Sequence, residues 1–122
     1  MKVIDSSVWI EFLANGPAAD QVLPYLADPD ELITPTIVLL EVYRKLVRDR
    51  GPDAGIVVRE LLEGTHVIPL SADIALSSAD VGLRHGLATA DAIVYATTLS
   101  ARAELVTRDV HFRGLPGVAY LS

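Results

Sequence analysis

The sequence predicts an α/β domain built on a mainly parallel sheet. Three observations predict it. Short runs rich in Val, Ile and Leu ("KVID", "ELIT", "HVIPL", "AELVT", "GVAYL") alternate with longer stretches of helical periodicity. The connections are punctuated by Gly, Pro and Asn. The chain has 122 residues and no long linker, repeat or low-complexity segment, which suits one core and a single domain over residues 1–122.

The elements follow in order. "KVID" reads as a buried strand ending at Asp5. "SSVWIEFLAN" carries a helix that stops at Asn15-Gly16-Pro17. "PAADQVLPYLAD" reads as a second helix disturbed at Pro24, and "ELIT" as a strand. "TPTIVLLEVYRKLVRDRG" is a long helix, with Thr34 or Thr36 as cap, Pro35 in its first turn and Gly51-Pro52 at its end. "DAGIVVRELLEG" adds a helix and "HVIPL" a strand. "SADIALSSADVGLRHG" is a helix with Ser71 as candidate cap. "TADAIVYATTLSAR" is the next helix, followed by the strands "AELVT" and "GVAYL".

Composition narrows the function. There is no cysteine, so neither a disulfide framework nor a thiolate metal site is available. Asp5 interrupts any signal-peptide apolar region, and the apolar run "IVLL" is far too short to span a membrane. The expectation is a cytoplasmic protein with no membrane association. The hydrophobic share of 51% is high for so small a domain and leaves apolar surface for a partner or a second copy. The net charge of −6 argues against a simple electrostatic nucleic-acid binder. It is compatible with a nucleic-acid enzyme whose acidic cluster is neutralised by divalent metal.

Four acids stand in unusual places. Asp5 ends the first strand, Glu41 sits inside "TIVLLEVY", Asp91 inside "TADAIVYA", and Asp109 follows "LVT". Ligands of open α/β sheets bind beyond the carboxyl ends of the strands, where strand order reverses. If "KVID" and "ELVT" are central neighbours, Asp5 and Asp109 meet at that edge, with Asp91 and Glu41 facing it from their helices. Carboxylates so grouped raise one another's pKa unless a cation intervenes. A site made of oxygen donors suits Mg2+ or Mn2+, which activate water and stabilise an in-line phosphoryl displacement.

Each acid also has a plain structural account. Asp5 is a candidate cap for the helix at Ser6 or Ser7. Glu41 is one turn from Lys45, and Asp109 can cap a short turn. Asp91 falls in the first turn of a helix capped by Thr89, where an acid complements the helix dipole. The coincidence of all four at one predicted edge favours a site.

These residues carry a resemblance. "VIDSSVWIEFL", "TPTIVLLEVYRKL", "LATADAIVYATTL" and "AELVTRDVHF", in this order and over essentially the whole chain, resemble the PIN domain family, and most closely the VapC-type ribonuclease toxins of prokaryotic toxin–antitoxin pairs. The resemblance implies a three-layer α/β/α domain with a five-stranded parallel sheet in the order 3-2-1-4-5. It implies Mg2+- or Mn2+-dependent cleavage of RNA, with Asp5, Glu41, Asp91 and Asp109 as the acidic quartet. Ser6 and Thr107 match hydroxyl positions, and we read both as orienting carboxylates by hydrogen bonding. A cognate VapB-type antitoxin and a homodimer are likewise implied. The expected products carry a 5′ phosphate and a 3′ hydroxyl.

Lys45 and Arg48 share the helix face of Glu41, and Arg108, His111 and Arg113 flank Asp109. They are candidate RNA contacts, although basic residues at a helix end also complement its dipole. His66, His85 and His111 are not spaced as a metal cluster, so none is assigned as a ligand. Trp9, Ile10, Phe12 and Leu13 form an apolar helix face, read chiefly as core. A phospho-accepting receiver domain fits in length and class, but the third strand runs into "IPLSAD" and the only lysines are Lys2 and Lys45. A haloacid-dehalogenase-like phosphohydrolase wants Asp-x-Asp after the first strand, where this chain has "DSSV". A PIN-like binding scaffold without catalysis is the remaining alternative.

Overall fold

The computed structural model describes residues 1–122. Five strands form one parallel sheet: β1 (Lys2–Ile4), β2 (Leu32–Pro35), β3 (His66–Ile68), β4 (Glu104–Thr107) and β5 (Val118–Tyr120), in the order β3-β2-β1-β4-β5. Val3 pairs with Ile33 on one side and Leu105 on the other. The helices are α1 (Ser6–Leu13), α2 (Ala19–Val22), α3 (Thr36–Arg50), α4 (Pro52–Glu63), α5 (Ala72–His85) and α6 (Thr89–Ser100), and they cover both faces of the sheet. Three 3₁₀ turns, Leu23–Leu26, Pro29–Glu31 and Val110–Phe112, complete the chain. No helix is long and apolar enough to cross a membrane.

The central strands are buried on both faces, as a sheet covered by helices requires. Val3, Ile4, Leu105 and Val106 are fully inaccessible, and Val8, Val38, Val42, Leu62, Val94 and Phe112 pack on the same core. Chain order fixes where a site can form. From β1 the chain moves outward through β2 to β3, then crosses back to lay β4 against the opposite edge of β1. The reversal therefore lies between β1 and β4, and their carboxyl ends open a crevice there.

Several local expectations change. The segment around Pro24 is not one helix: α2 lasts one turn and the chain tightens into the 3₁₀ turn Leu23–Leu26, whose Pro24 donates no backbone hydrogen bond. Pro35 ends β2 and stands at the N-cap of α3 rather than inside its first turn; neither Thr34 nor Thr36 caps that helix. Thr34 bonds instead to the Thr65 hydroxyl at 2.6 Å. Ala88, not Thr89, precedes α6 as its N-cap. Ser71 does cap α5, its hydroxyl accepting from the Ile74 N–H at 3.2 Å. Helix α5 ends at Gly86, whose φ of +67° is the left-handed conformation that reverses the chain into α6.

Candidate metal centre

The crevice between β1 and β4 is built from one carboxylate and two hydroxyls. Asp5 follows the last residue of β1, and its backbone N–H continues the ladder to the Val106 carbonyl at 2.9 Å. It occupies the N-cap position of α1, yet its side chain caps nothing. The carboxylate turns towards β4 instead. The Thr107 hydroxyl donates to Asp5 Oδ2 at 2.8 Å and the Ser7 hydroxyl donates to the same oxygen at 2.7 Å. Thr107 accepts in turn from the Asp109 N–H, and Ser7 from the Arg108 N–H, each at 2.9 Å. The two hydroxyls thus tie the first carboxylate to the loop that carries the fourth.

Asp5 is only 3% exposed. Burial pushes its pKa above the usual carboxylate range; hydrogen bonds from Ser7 and Thr107 oppose the shift, and the Asp109 charge adds to it. Glu41, on α3, is half-buried and also raised, first by desolvation and then by Asp5, Asp91 and Asp109, against the Ser6 hydroxyl beside it. Asp91, in the first turn of α6, is raised by desolvation, then by Asp109 and Asp5, with His111 opposing. All four predicted acids therefore converge within electrostatic reach of one another. A helix-dipole role alone would hold Asp91 below the usual range, the opposite of what its surroundings do.

Each of the two expected hydroxyls stands against a carboxylate, and a third joins them. Thr107 orients Asp5 directly. Ser6 lies beside Glu41, and Ser7 supplies the second bond to Asp5. Ser7 was not singled out in the sequence, although a hydroxyl two residues after an Asp at a helix start is a familiar local bonding pattern. Asp109 does cap a short turn, its Oδ1 accepting from the His111 N–H at 2.9 Å. That turn brings His111 Nδ1 to 2.9 Å from Asp109 Oδ1 and 4.0 Å from Asp91 Oδ2. His111, expected only as a substrate contact flanking Asp109 and not as a metal ligand, thus stands against two of the acids. Ligand atoms of Asp91, Asp109 and His111 all lie within 4.8 Å of one another.

The basic side chains predicted to contact RNA are paired with acids outside the quartet. Arg108 places Nη1 2.9 Å from Glu11 Oε2, so its charge is paired within the chain. Lys45 pairs with Asp49 at 2.9 Å rather than with Glu41, and Arg48 pairs with the same Asp49 at 3.1 Å. Lys45 is partly buried one turn beyond Glu41, and Arg48 is exposed in the last turn of α3. The face of α1 is core, as expected, with Trp9 buried and Ile10, Phe12 and Leu13 partly so.

The donor set fits a hard divalent cation. Several anionic oxygens with raised pKa converge without a lysine or arginine among them, and a cation removes the repulsion.

Comparison with known proteins agrees with this fold. The sequence profile of the PIN domain matches residues 2–118. A chain of a toxin–antitoxin complex from Klebsiella pneumoniae is 28% identical, with a TM-score of 0.84 over 98% of this chain and 96% of that one. VapC20 of Mycobacterium tuberculosis, a toxin that cleaves the sarcin–ricin loop, is 19% identical, with a TM-score of 0.81 over 97% of each chain. FitAcB of Neisseria gonorrhoeae is 20% identical, with a TM-score of 0.77 over 100% of this chain and 97% of that one. The last two likenesses concern the fold. None of the curated proteins matches the chain in sequence.

Proposed function

The chain belongs to the PIN domain family, and from that membership we propose that it is a metal-dependent endoribonuclease acting as the toxin of a toxin–antitoxin pair. The observation that carries the reading is the convergence of Asp5, Glu41, Asp91 and Asp109 at the reversal between β1 and β4. Asp5, Asp91, Asp109 and Glu41 would hold Mg2+ or Mn2+. An ion held there would supply acidified water and charge neutralisation for phosphodiester hydrolysis, in which a water oxygen bonds to phosphorus and the 3′ oxygen leaves and takes a proton, so that the ends would be 5′ phosphate and 3′ hydroxyl.

The chain's own residues set up that chemistry. Ser7 and Thr107 both donate to Asp5 Oδ2, which fixes the plane of the carboxylate and favours its ionised form. Thr107 holds the Asp109 backbone, so the first and fourth acids keep one spacing. Glu41, held beside the Ser6 hydroxyl at the rim of the same crevice, completes the acidic set. Lys45 and Arg48 are proposed to bind the RNA backbone on release from Asp49; replacing both with alanine should weaken RNA binding without changing metal affinity.

A VapB-type antitoxin is proposed as partner because the 28% identical structure is a toxin–antitoxin complex. A homodimer is proposed from exposed Leu76 and Leu83, which lie seven residues apart on one stripe of α5. The test of the enzyme reading is cleavage of RNA by purified, antitoxin-free protein with Mg2+, Mn2+ or EDTA, beside Asp91→Asn. Cleavage that needs metal and vanishes in the folded variant supports it. Activity that survives both EDTA and the substitution overturns it. A folded protein that binds metal and RNA but cleaves nothing would be the scaffold.

A further inference from the structure

We propose that the His111 imidazole is a direct nitrogen ligand of the divalent ion, so that the centre prefers Mn2+ to Mg2+. The proposal rests on the metal-dependent reading above and extends it to the choice of ion. His111 Nδ1 stands 2.9 Å from Asp109 Oδ1 and 4.0 Å from Asp91 Oδ2. On an octahedral ion with bonds of about 2.1 Å, adjacent donors stand about 3.0 Å apart and opposite donors about 4.2 Å. The three groups therefore already hold the separations of one adjacent and one nearly opposite donor pair.

The plainer account of His111 is a ring hydrogen-bonded within the turn that Asp109 caps. It leaves two features unexplained. Asp109 Oδ1 already accepts from the His111 backbone N–H, so the ring contact adds nothing to the cap. The same ring nitrogen also faces Asp91, whose carboxylate takes no hydrogen bond from any side chain. A nitrogen between two acids from different elements, α6 and the turn after β4, is placed as a ligand is.

The chemistry then selects the ion. Mg2+ favours oxygen donors and keeps its waters, whereas Mn2+, which shares its liking for carboxylates, is a first-row transition ion and takes an imidazole nitrogen more readily than Mg2+ does. The chain's other histidines are engaged elsewhere: His66 Nε2 lies 2.9 Å from the Asp30 carbonyl and His85 packs edge-on to Tyr95. A nitrogen signal from a bound ion is thus assignable.

The experiment is pulsed electron spin-echo spectroscopy of the Mn2+-loaded, tag-free protein, with calorimetric titration of Mn2+ and Mg2+ into it and into His111→Gln. The expected result is nitrogen modulation from a bound imidazole that disappears in the variant. Mn2+ affinity should fall about tenfold or more, while Mg2+ affinity is essentially unchanged. Specific Mn2+ binding without nitrogen modulation, or modulation that persists in His111→Gln, overturns the assignment and leaves the acidic centre standing. No specific binding of either ion overturns it together with the metal-dependent reading.

Discussion

Replacing Thr107 with valine isolates the bond that joins the two halves of the centre. Thr107 is completely buried, and valine matches its shape, so the change opens no cavity. Two short hydrogen bonds are lost, beside a long contact of 3.4 Å with the Ser7 hydroxyl. One is donated to the Asp5 carboxylate at 2.8 Å, and a bond to a charged acceptor is worth about 1.5–3 kcal/mol. The other is accepted from the Asp109 N–H at 2.9 Å, and leaving that donor unpaired costs about 1–3 kcal/mol, with the low end appropriate to partly accessible Asp109. Ser7 still donates to Asp5, which limits the first loss. The expected destabilisation is about 2–4 kcal/mol near neutral pH, read from urea unfolding in EDTA. The larger part exists only while Asp5 is ionised, so the difference from wild type should shrink as pH falls through its raised pKa. Thr107→Ser keeps the hydroxyl and should lose only about 0.8 kcal/mol for the missing methyl. A valine variant within about 0.5 kcal/mol of wild type, or a serine variant as damaged as the valine one, would refute the reasoning.

Three further outcomes are expected. Asp5, Glu41 and Asp91 hold their protons more tightly folded than unfolded. Without metal, their favourable contribution is present below the unfolded pKa values and is lost as pH rises towards the raised folded ones. Thermal melts in EDTA should therefore show Asp91→Asn more stable than wild type near neutral pH, with the gap closing in acid, and saturating Mn2+ should reverse the order. Tyr95→Phe removes the donor to the Pro116 carbonyl at 2.7 Å and should cost about 1 kcal/mol in urea unfolding, with cleavage retained. Gly86→Ala meets no atom within 4 Å, so its cost comes from the φ of +67° alone and should be about 1–2 kcal/mol in the same assay.

The fold was readable because its signals are local. Strands and helices alternate with clear breaks, and the Ser71 cap and the Gly86 stop are visible as residue types. What failed to show were features decided by competition between neighbours. Leu32, Ile33, Thr34 and Pro35 are all buried, so β2 lacks the alternation that marks where a strand ends, and Pro35 reads equally as helix start. Asp5, Glu41, Asp91 and Asp109 were found because a charge in an apolar run is conspicuous. Ser7 was hidden beside Ser6, since which of two adjacent hydroxyls turns back to Asp5 depends on the angle at which α1 leaves β1. The place of His111 beside Asp109 is visible in the sequence, but its approach to Asp91 is not, because the two come from separate elements that only the fold joins.

The placement of β4 at the centre of the sheet has a consequence for the order of synthesis. A growing chain that has emerged through Ser100 contains Asp5, Glu41 and Asp91, yet lacks Thr107, Asp109 and the strand that covers one edge of β1. The first carboxylate then has Ser7 but no Thr107 to hold it, and the crevice has only one wall. An amino-terminal fragment cannot assemble the centre, however long it lingers on the ribosome. A protein that cuts RNA would in this way be kept from doing so beside the machinery still translating it.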